Sequence, residues 1–66
     1  MVVIYTQDLC PKCKVLKKKL DSKNIEYVEC DDVNTLISKN IDLTPVLEID
    51  GNMMNYSEAI NWVNEV

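Results

Sequence analysis

Cys10 and Cys13 are separated only by Pro11 and Lys12, and they are two of three cysteines in a chain of 66 residues. Across the first turn of a helix this spacing puts two sulfurs on one face, close enough for a disulfide after a small backbone adjustment. A pair that opens and closes at little cost can carry two electrons by thiol–disulfide exchange. The two sulfurs would differ in role. Cys10, at the helix start, would meet unpaired backbone N–H groups and the positive end of the helix dipole, which favour a thiolate and make it the attacking sulfur. Cys13, one turn inside, has fewer free donors and more burial, so it would stay a thiol until a mixed disulfide forms and then resolve it. Lys12 adds a positive charge beside Cys10, which would lower the thiol pKa and leave the pair moderately oxidising. Pro11 stiffens the turn, and Asp8 reads as a solvated loop residue that could oppose Lys12.

Other chemistries of a CxxC pair have less support in the sequence. Cys-Pro-Lys-Cys is also half of a zinc ribbon, but the second half is missing. With only Cys30 left and no histidine, a four-ligand site would need a carboxylate or a second chain. A small copper carrier is a further alternative; such carriers have Met two residues before the first cysteine, where this chain has Asp8, and end in a strand rather than a helix. A purely structural disulfide is the third. Cys30 itself reads as a small buried thiol. The second feature of interest is Thr44-Pro45. A proline directly before an apolar strand suits an edge or an active site, where its missing donor is tolerated, and a cis bond would permit a sharp entry. A trans proline that merely starts the strand is the plainer alternative.

Seven elements can position these residues. Val2 to Tyr5 is a β-branched and aromatic run without polar alternation, which predicts a central strand covered on both faces. Pro11 suits the first position of a helix, where its missing N–H costs nothing. Cys13, Leu16 and Leu20 then recur at helical spacing to form an inward face. The Asp21-Ser22-Lys23-Asn24 stretch ends that helix, and Ile25, Tyr27, Val28 and Cys30 mark a second strand, parallel to the first. Asp31 or Asp32 can cap a short helix carrying Val33, Leu36 and Ile37 inward, with Asn40 as its left-handed terminator. Val46 to Ile49, the Asp50-Gly51 turn and Asn52 to Met54 read as a β-hairpin, with Met53 and Met54 on opposite faces. Asn55 and Glu58 fit a capping box for a last helix bearing Ala59, Ile60 and Val63, on which Trp62 is a packing residue. The order βαβαββα predicts an α/β fold, a four-stranded mixed sheet with helices on both faces, as one domain over residues 1–66.

Composition narrows the function classes. The 47% hydrophobic and 27% charged fractions are those of a folded domain. Without a long apolar run or a basic stretch ahead of a signal core, we expect a soluble, cytoplasmic protein. Odd cysteine usage in such a chain points to redox chemistry rather than a stapled secreted scaffold. Net charge is −4, although six of seven lysines fall between Lys12 and Lys23. An acidic chain is a poor nucleic-acid binder. The lysines read mainly as a solvated helix face that can also steer an acidic partner at low salt.

Taken in order, Ile4-Tyr5-Thr6, Cys10-Pro11-Lys12-Cys13, Thr44-Pro45 and Ile49-Asp50-Gly51 resemble the glutaredoxin family and its glutaredoxin-like redoxins, within the thioredoxin superfamily, over nearly the whole chain. The resemblance implies a thioredoxin-like fold and a dithiol–disulfide oxidoreductase. Cys10 and Cys13 would be catalytic, with Pro11, Lys12, Thr44 and Pro45 on the substrate side. It further implies that Pro45 is cis and packs beside the disulfide, and that the backbone of Thr44 pairs with an extended substrate segment. No cofactor beyond the disulfide is expected, glutathione being a candidate reductant, and no metal site. Expected partners are disulfide-containing proteins and a protein reductase such as thioredoxin reductase, with no nucleic acid or membrane, acting on a monomer. Three departures bear on glutathione. Gln7 stands where many glutaredoxins have a basic residue, Lys12 replaces the common Tyr, and Asn55-Tyr56-Ser57-Glu58 replaces a Gly-Gly turn and polar pair, so Ser57 alone could keep that contact.

Overall fold

Val2 to Tyr5 forms the first strand, β1 (Val2–Tyr5), and in the computed structural model, which describes all of residues 1–66, it lies inside a four-stranded sheet. The elements that follow are α1 (Pro11–Ser22), β2 (Val28–Cys30), α2 (Val33–Ser38), β3 (Val46–Ile49), β4 (Asn52–Met54) and α3 (Tyr56–Glu65). The strands lie in the order β2-β1-β3-β4. β2 runs parallel to β1, with Tyr5 opposite Cys30, while β3 is antiparallel to β1, with Ile4 opposite Leu47. β4 returns along β3 through Asp50-Gly51, whose φ values of 49° and 88° are those of the tight hairpin turn the Asp-Gly pair predicts.

Alternation along β1 divides the molecule into two layers. Ile4 points to a core of Leu16 and Leu20 from α1, Leu47 from β3, and Ala59 and Val63 from α3. Tyr5, its neighbour, points to the other face. There its hydroxyl donates to Glu48 at 2.7 Å, and the Lys39 ammonium at the end of α2 lies 5.7 Å from the ring centre. Burial first, then the bond to Glu48, pushes the Tyr5 pKa up to about 12, so this face stays neutral at Tyr5 throughout the physiological range. Helices α1 and α3 therefore cover one face and α2 the other, the mixed α/β arrangement the element order predicts. No helix is long and apolar enough to cross a membrane.

Local signals set most of the element ends. Asn55 and Glu58 exchange both bonds of a capping box at 2.8 and 3.0 Å, and Asp32 caps α2 through Thr35 N–H. Asn24 and Asn40 take left-handed backbone after α1 and α2, with φ of 57° and 58°. Two expectations need correction. β2 begins only at Val28; Ile25 and Tyr27 precede it and pack their side chains against the core. In α2 only Leu36 is buried, while Val33 and Ile37 are exposed. A six-residue helix is about 9 Å long, and the sheet surface it meets already holds Tyr5 and Glu48, over which Lys39 at the helix end reaches, so Leu36 is the one side chain it buries.

Candidate active site

The start of α1 carries the redox pair. Cys10 is the N-cap residue, with extended backbone at φ −114° and ψ 97°, and Pro11 takes the first helical position. No acidic residue occupies the first turn, so nothing on the helix offsets its positive end. Cys10 and Cys13 are joined as a disulfide, with their α-carbons 5.3 Å apart. The Cys13 N–H donates to Cys10 Sγ at 3.1 Å. Such a bond strengthens when the sulfur becomes a thiolate, since a charged acceptor is roughly twice as strong as a neutral one.

Exposure separates the two sulfurs. Cys13 is only 2% exposed, packed under the helix, whereas Cys10 is half-buried and opens to solvent. Thr44 flanks Cys10 from the far side of the chain. Its hydroxyl lies 3.6 Å from Cys10 Sγ and 3.4 Å from Gln7 Oε1, and its carbonyl oxygen is 3.8 Å from the same sulfur. One hydroxyl proton serves one acceptor at a time, and a Cys10 thiolate would be the stronger of the two. The Thr44–Pro45 peptide is cis, as the resemblance implies, and Pro45 is buried.

The structure relocates Lys12. Its ammonium lies 5.3 Å from the centre of the Tyr56 ring, at the start of α3, and it forms no ion pair with Asp8. A cation over an aromatic face is held there by the ring quadrupole. Other α1 lysines are also engaged: Lys17 pairs with Glu29 at 3.1 Å, and Lys19 and Lys23 reach Asn64 and Val66. Lys14 and Lys18 remain as the open part of the expected lysine face.

Two cavities open at the pair. One, of about 170 Å³, runs beside Cys10 and Cys13 between α1 and the end of β2, and is walled by Thr6, Lys14, Lys17 and Glu29. Glu29 accepts from Thr6 at 2.8 Å and from Lys17 at 3.1 Å, and these bonds, Thr6 first, hold its carboxyl below the ordinary glutamate value of 4.5. The stability this contributes is full above that value and lost as pH falls through the lower folded-state value. Denaturant unfolding between pH 7 and 3 should therefore show a Glu29→Gln deficit of under about 1 kcal/mol at neutral pH, the side chain being solvent-screened, that closes in acid. A deficit independent of pH would mean that packing, not the charge, is what Glu29 supplies. The second cavity, of about 380 Å³, is a groove on the open side of Cys10, between Asp8-Leu9 and Asp42-Leu43-Thr44.

The sequence model of the glutaredoxin family matches residues 2–54. The chain is a member of the glutaredoxin family. It is 39% identical to an uncharacterized glutaredoxin-like 8.6 kDa protein in the rubredoxin operon of Clostridium pasteurianum, over 82% of this chain and 81% of that protein. Its fold is similar to the crystal structure of the thioredoxin-like protein BC3987, with a TM-score of 0.81 and 28% identity, covering 98% of this chain and 97% of that one. A point mutant of the same protein superposes with a TM-score of 0.79 at 26% identity, covering 98% and 96%. A thioredoxin-like fold with a Cys10–Cys13 disulfide supports a redox role for this family member.

Of the residues singled out from sequence, Cys10, Cys13, Pro11, Thr44 and Pro45 come together at one end of the two central strands, after β1 and before β3, and Lys12 lines the groove there while its ammonium reaches over Tyr56 of α3. Cys30 is a free, half-buried thiol whose carbonyl accepts from Thr6 N–H. It does not line either cavity. No three Cys, Asp or Glu side chains converge to hold a metal ion. Sequence reasoning missed Leu9, Asp42, Leu43 and Glu29. Leu9 and Leu43 were visible as apolar residues in loops, outside every periodic pattern and next to the two motifs.

Proposed function

We propose that this glutaredoxin-family chain is a dithiol–disulfide oxidoreductase that reduces protein disulfides and is itself recharged by a protein reductase in preference to glutathione. The observation that carries the reading is the unequal environment of the two sulfurs, open at Cys10 and closed at Cys13. In the reduced protein the Cys10 thiolate attacks one sulfur of a substrate disulfide. That S–S bond breaks, its electron pair leaves on the second substrate sulfur, and a Cys10 mixed disulfide forms. Cys13 then gives its proton to solvent and attacks Cys10 Sγ, forming the intramolecular disulfide and releasing the other substrate thiolate. Two electrons have moved from the cysteine pair to the substrate, and a dithiol donor restores them. Cytoplasmic action as a monomer, without nucleic acid or membrane, belongs to the same proposal.

Three features argue against efficient glutathione use. Gln7 has no positive charge for a glutathione carboxylate, and its side chain is turned to Thr44. At the start of α3 the Glu58 carboxylate already accepts the Asn55 N–H, where an external carboxylate would otherwise find a donor. Tyr56, under Lys12, sets a half-buried ring where glycine would carry no side chain.

The test compares kcat/KM for a glutathione mixed disulfide with turnover driven by thioredoxin reductase. We expect reductase-driven turnover to exceed the glutathione rate. Gln7→Lys should raise glutathione efficiency about two- to fivefold, the worth of one exposed charge pair. Efficient glutathione use by the wild type, no gain from Gln7→Lys and an inert reductase would together overturn the proposal.

A further inference from the structure

From the groove beside Cys10 we infer that this chain selects disulfides in extended segments carrying a large apolar residue and a basic residue two positions either side of the reacting cysteine. The inference rests on the exchange reading above and adds a substrate class to it. Leu9 is 98% exposed and Leu43 is 83% exposed, and they stand on the two loops that form the groove's walls. Leucine gains nothing from such exposure, and removing either side chain from water is favourable. Leu9 also has left-handed backbone, φ 57°, which an L side chain adopts only at a cost, and strain of this kind gathers at binding sites. Cys10 Sγ lies in the same groove, with Thr44 at its side.

Charge defines the other half of the recognition. Asp8 and Asp42 are both exposed on the groove, each adjacent in sequence to one of the leucines. Lys12, the only cation lining it, keeps its charge but is held over Tyr56, which leaves two carboxylates against one ammonium. The groove is therefore apolar with a rim that is acidic on balance at Asp8 and Asp42, and it favours lysine or arginine over glutamate in a ligand. An extended segment places every second side chain on the same side, about 7 Å apart. When a cysteine points down at Cys10, the residues at plus and minus two point down with it, toward the walls.

The test uses pre-reduced full-length protein and blocked pentapeptide disulfides with cysteine at the centre. One outer residue is Leu or Ser and the other Lys or Glu, in both orders, and hydroxyethyl disulfide serves as a small neutral reference. We expect the Leu and Lys peptide to react at least about tenfold faster than the Ser and Glu peptide, the discrimination typical of an apolar pocket. The Lys-over-Glu preference should fade as salt rises while the Leu-over-Ser preference persists. Replacing Leu9 and Leu43 together with Ser should remove the apolar preference, and replacing Asp8 and Asp42 with Asn should remove the charge preference. Equal rates for all peptides in the wild type, with hydroxyethyl disulfide reduced normally, would overturn the groove inference and leave the exchange reading standing. Failure to reduce any of these disulfides, the reference included, would overturn both.

Discussion

Cys10→Ser protein is expected to lose disulfide reduction by at least about a thousandfold, the scale seen when a nucleophile is removed. A serine hydroxyl is not ionised near neutral pH and does not attack sulfur, so no residual pathway through this position remains. Cys13→Ser should behave differently. It keeps the attacking sulfur with its solvent access, and loses only the group that displaces the substrate, so it should accumulate a stable mixed disulfide visible by mass spectrometry. Alkylation of the reduced protein supplies an independent check. Cys10 should react at least about tenfold faster than Cys13 or Cys30 near pH 7, because only it combines exposure with the helix start. Comparable rates at all three cysteines, or full activity in Cys10→Ser, would show that the attacking sulfur has been misassigned.

The second large effect concerns stability. Leu47 is fully buried at the centre of the sheet, opposite Ile4 on β1 and Met54 on β4, and packs into the core with Leu16 and Val63. Leu47→Ala should cost about 2–5 kcal/mol, the range for a large-to-small change in a core. A domain this small has a total stability of only about 3–10 kcal/mol, so the variant should be largely unfolded or melt at least about 10 °C lower. Met53 provides the control, one residue along from Met54 on the opposite face of β4 and 44% exposed. Met53→Ala should cost under about 1 kcal/mol. Urea titration of both variants measures the contrast, and equal shifts would contradict the assignment of the core to the α1–α3 side.

The two proposals about the site bear on one another. An apolar groove rimmed by Asp8 and Asp42 favours a basic protein segment over a tripeptide with two free carboxylates. The self-capped start of α3 works in the same direction, since Glu58 already supplies the carboxylate there. Lys14 and Lys18 are exposed on α1, and Lys14 also walls the smaller cavity beside the cysteine pair.

Much of this molecule was written in local signals. Pro11 after Cys10, the Asp50-Gly51 turn, the Asn55–Glu58 box, and the left-handed Asn24 and Asn40 each depend on a few neighbouring residues, so the sequence alone placed them. The redox pair was legible for the same reason: two cysteines three apart at a helix start bring their environment with them. What tertiary structure decided depends on contacts between distant segments. Val33 and Ile37 match the helical period of Leu36, yet they are exposed because a six-residue helix meets a sheet face already filled by Tyr5 and Glu48, with its own capping Lys39 laid over them. Lys12 sits between the cysteines in the chain, but its ammonium goes to Tyr56, 44 positions on, because α3 starts beside α1 in the fold. The groove is built the same way. Asp8 and Leu9 face Asp42 and Leu43 only because β1 and β3 are hydrogen-bonded neighbours, which brings the loop after one strand against the loop before the other. The sequence determined where the cysteine pair sits, because its signals are local, and the packing of β1 against β3 determined which side chains surround it.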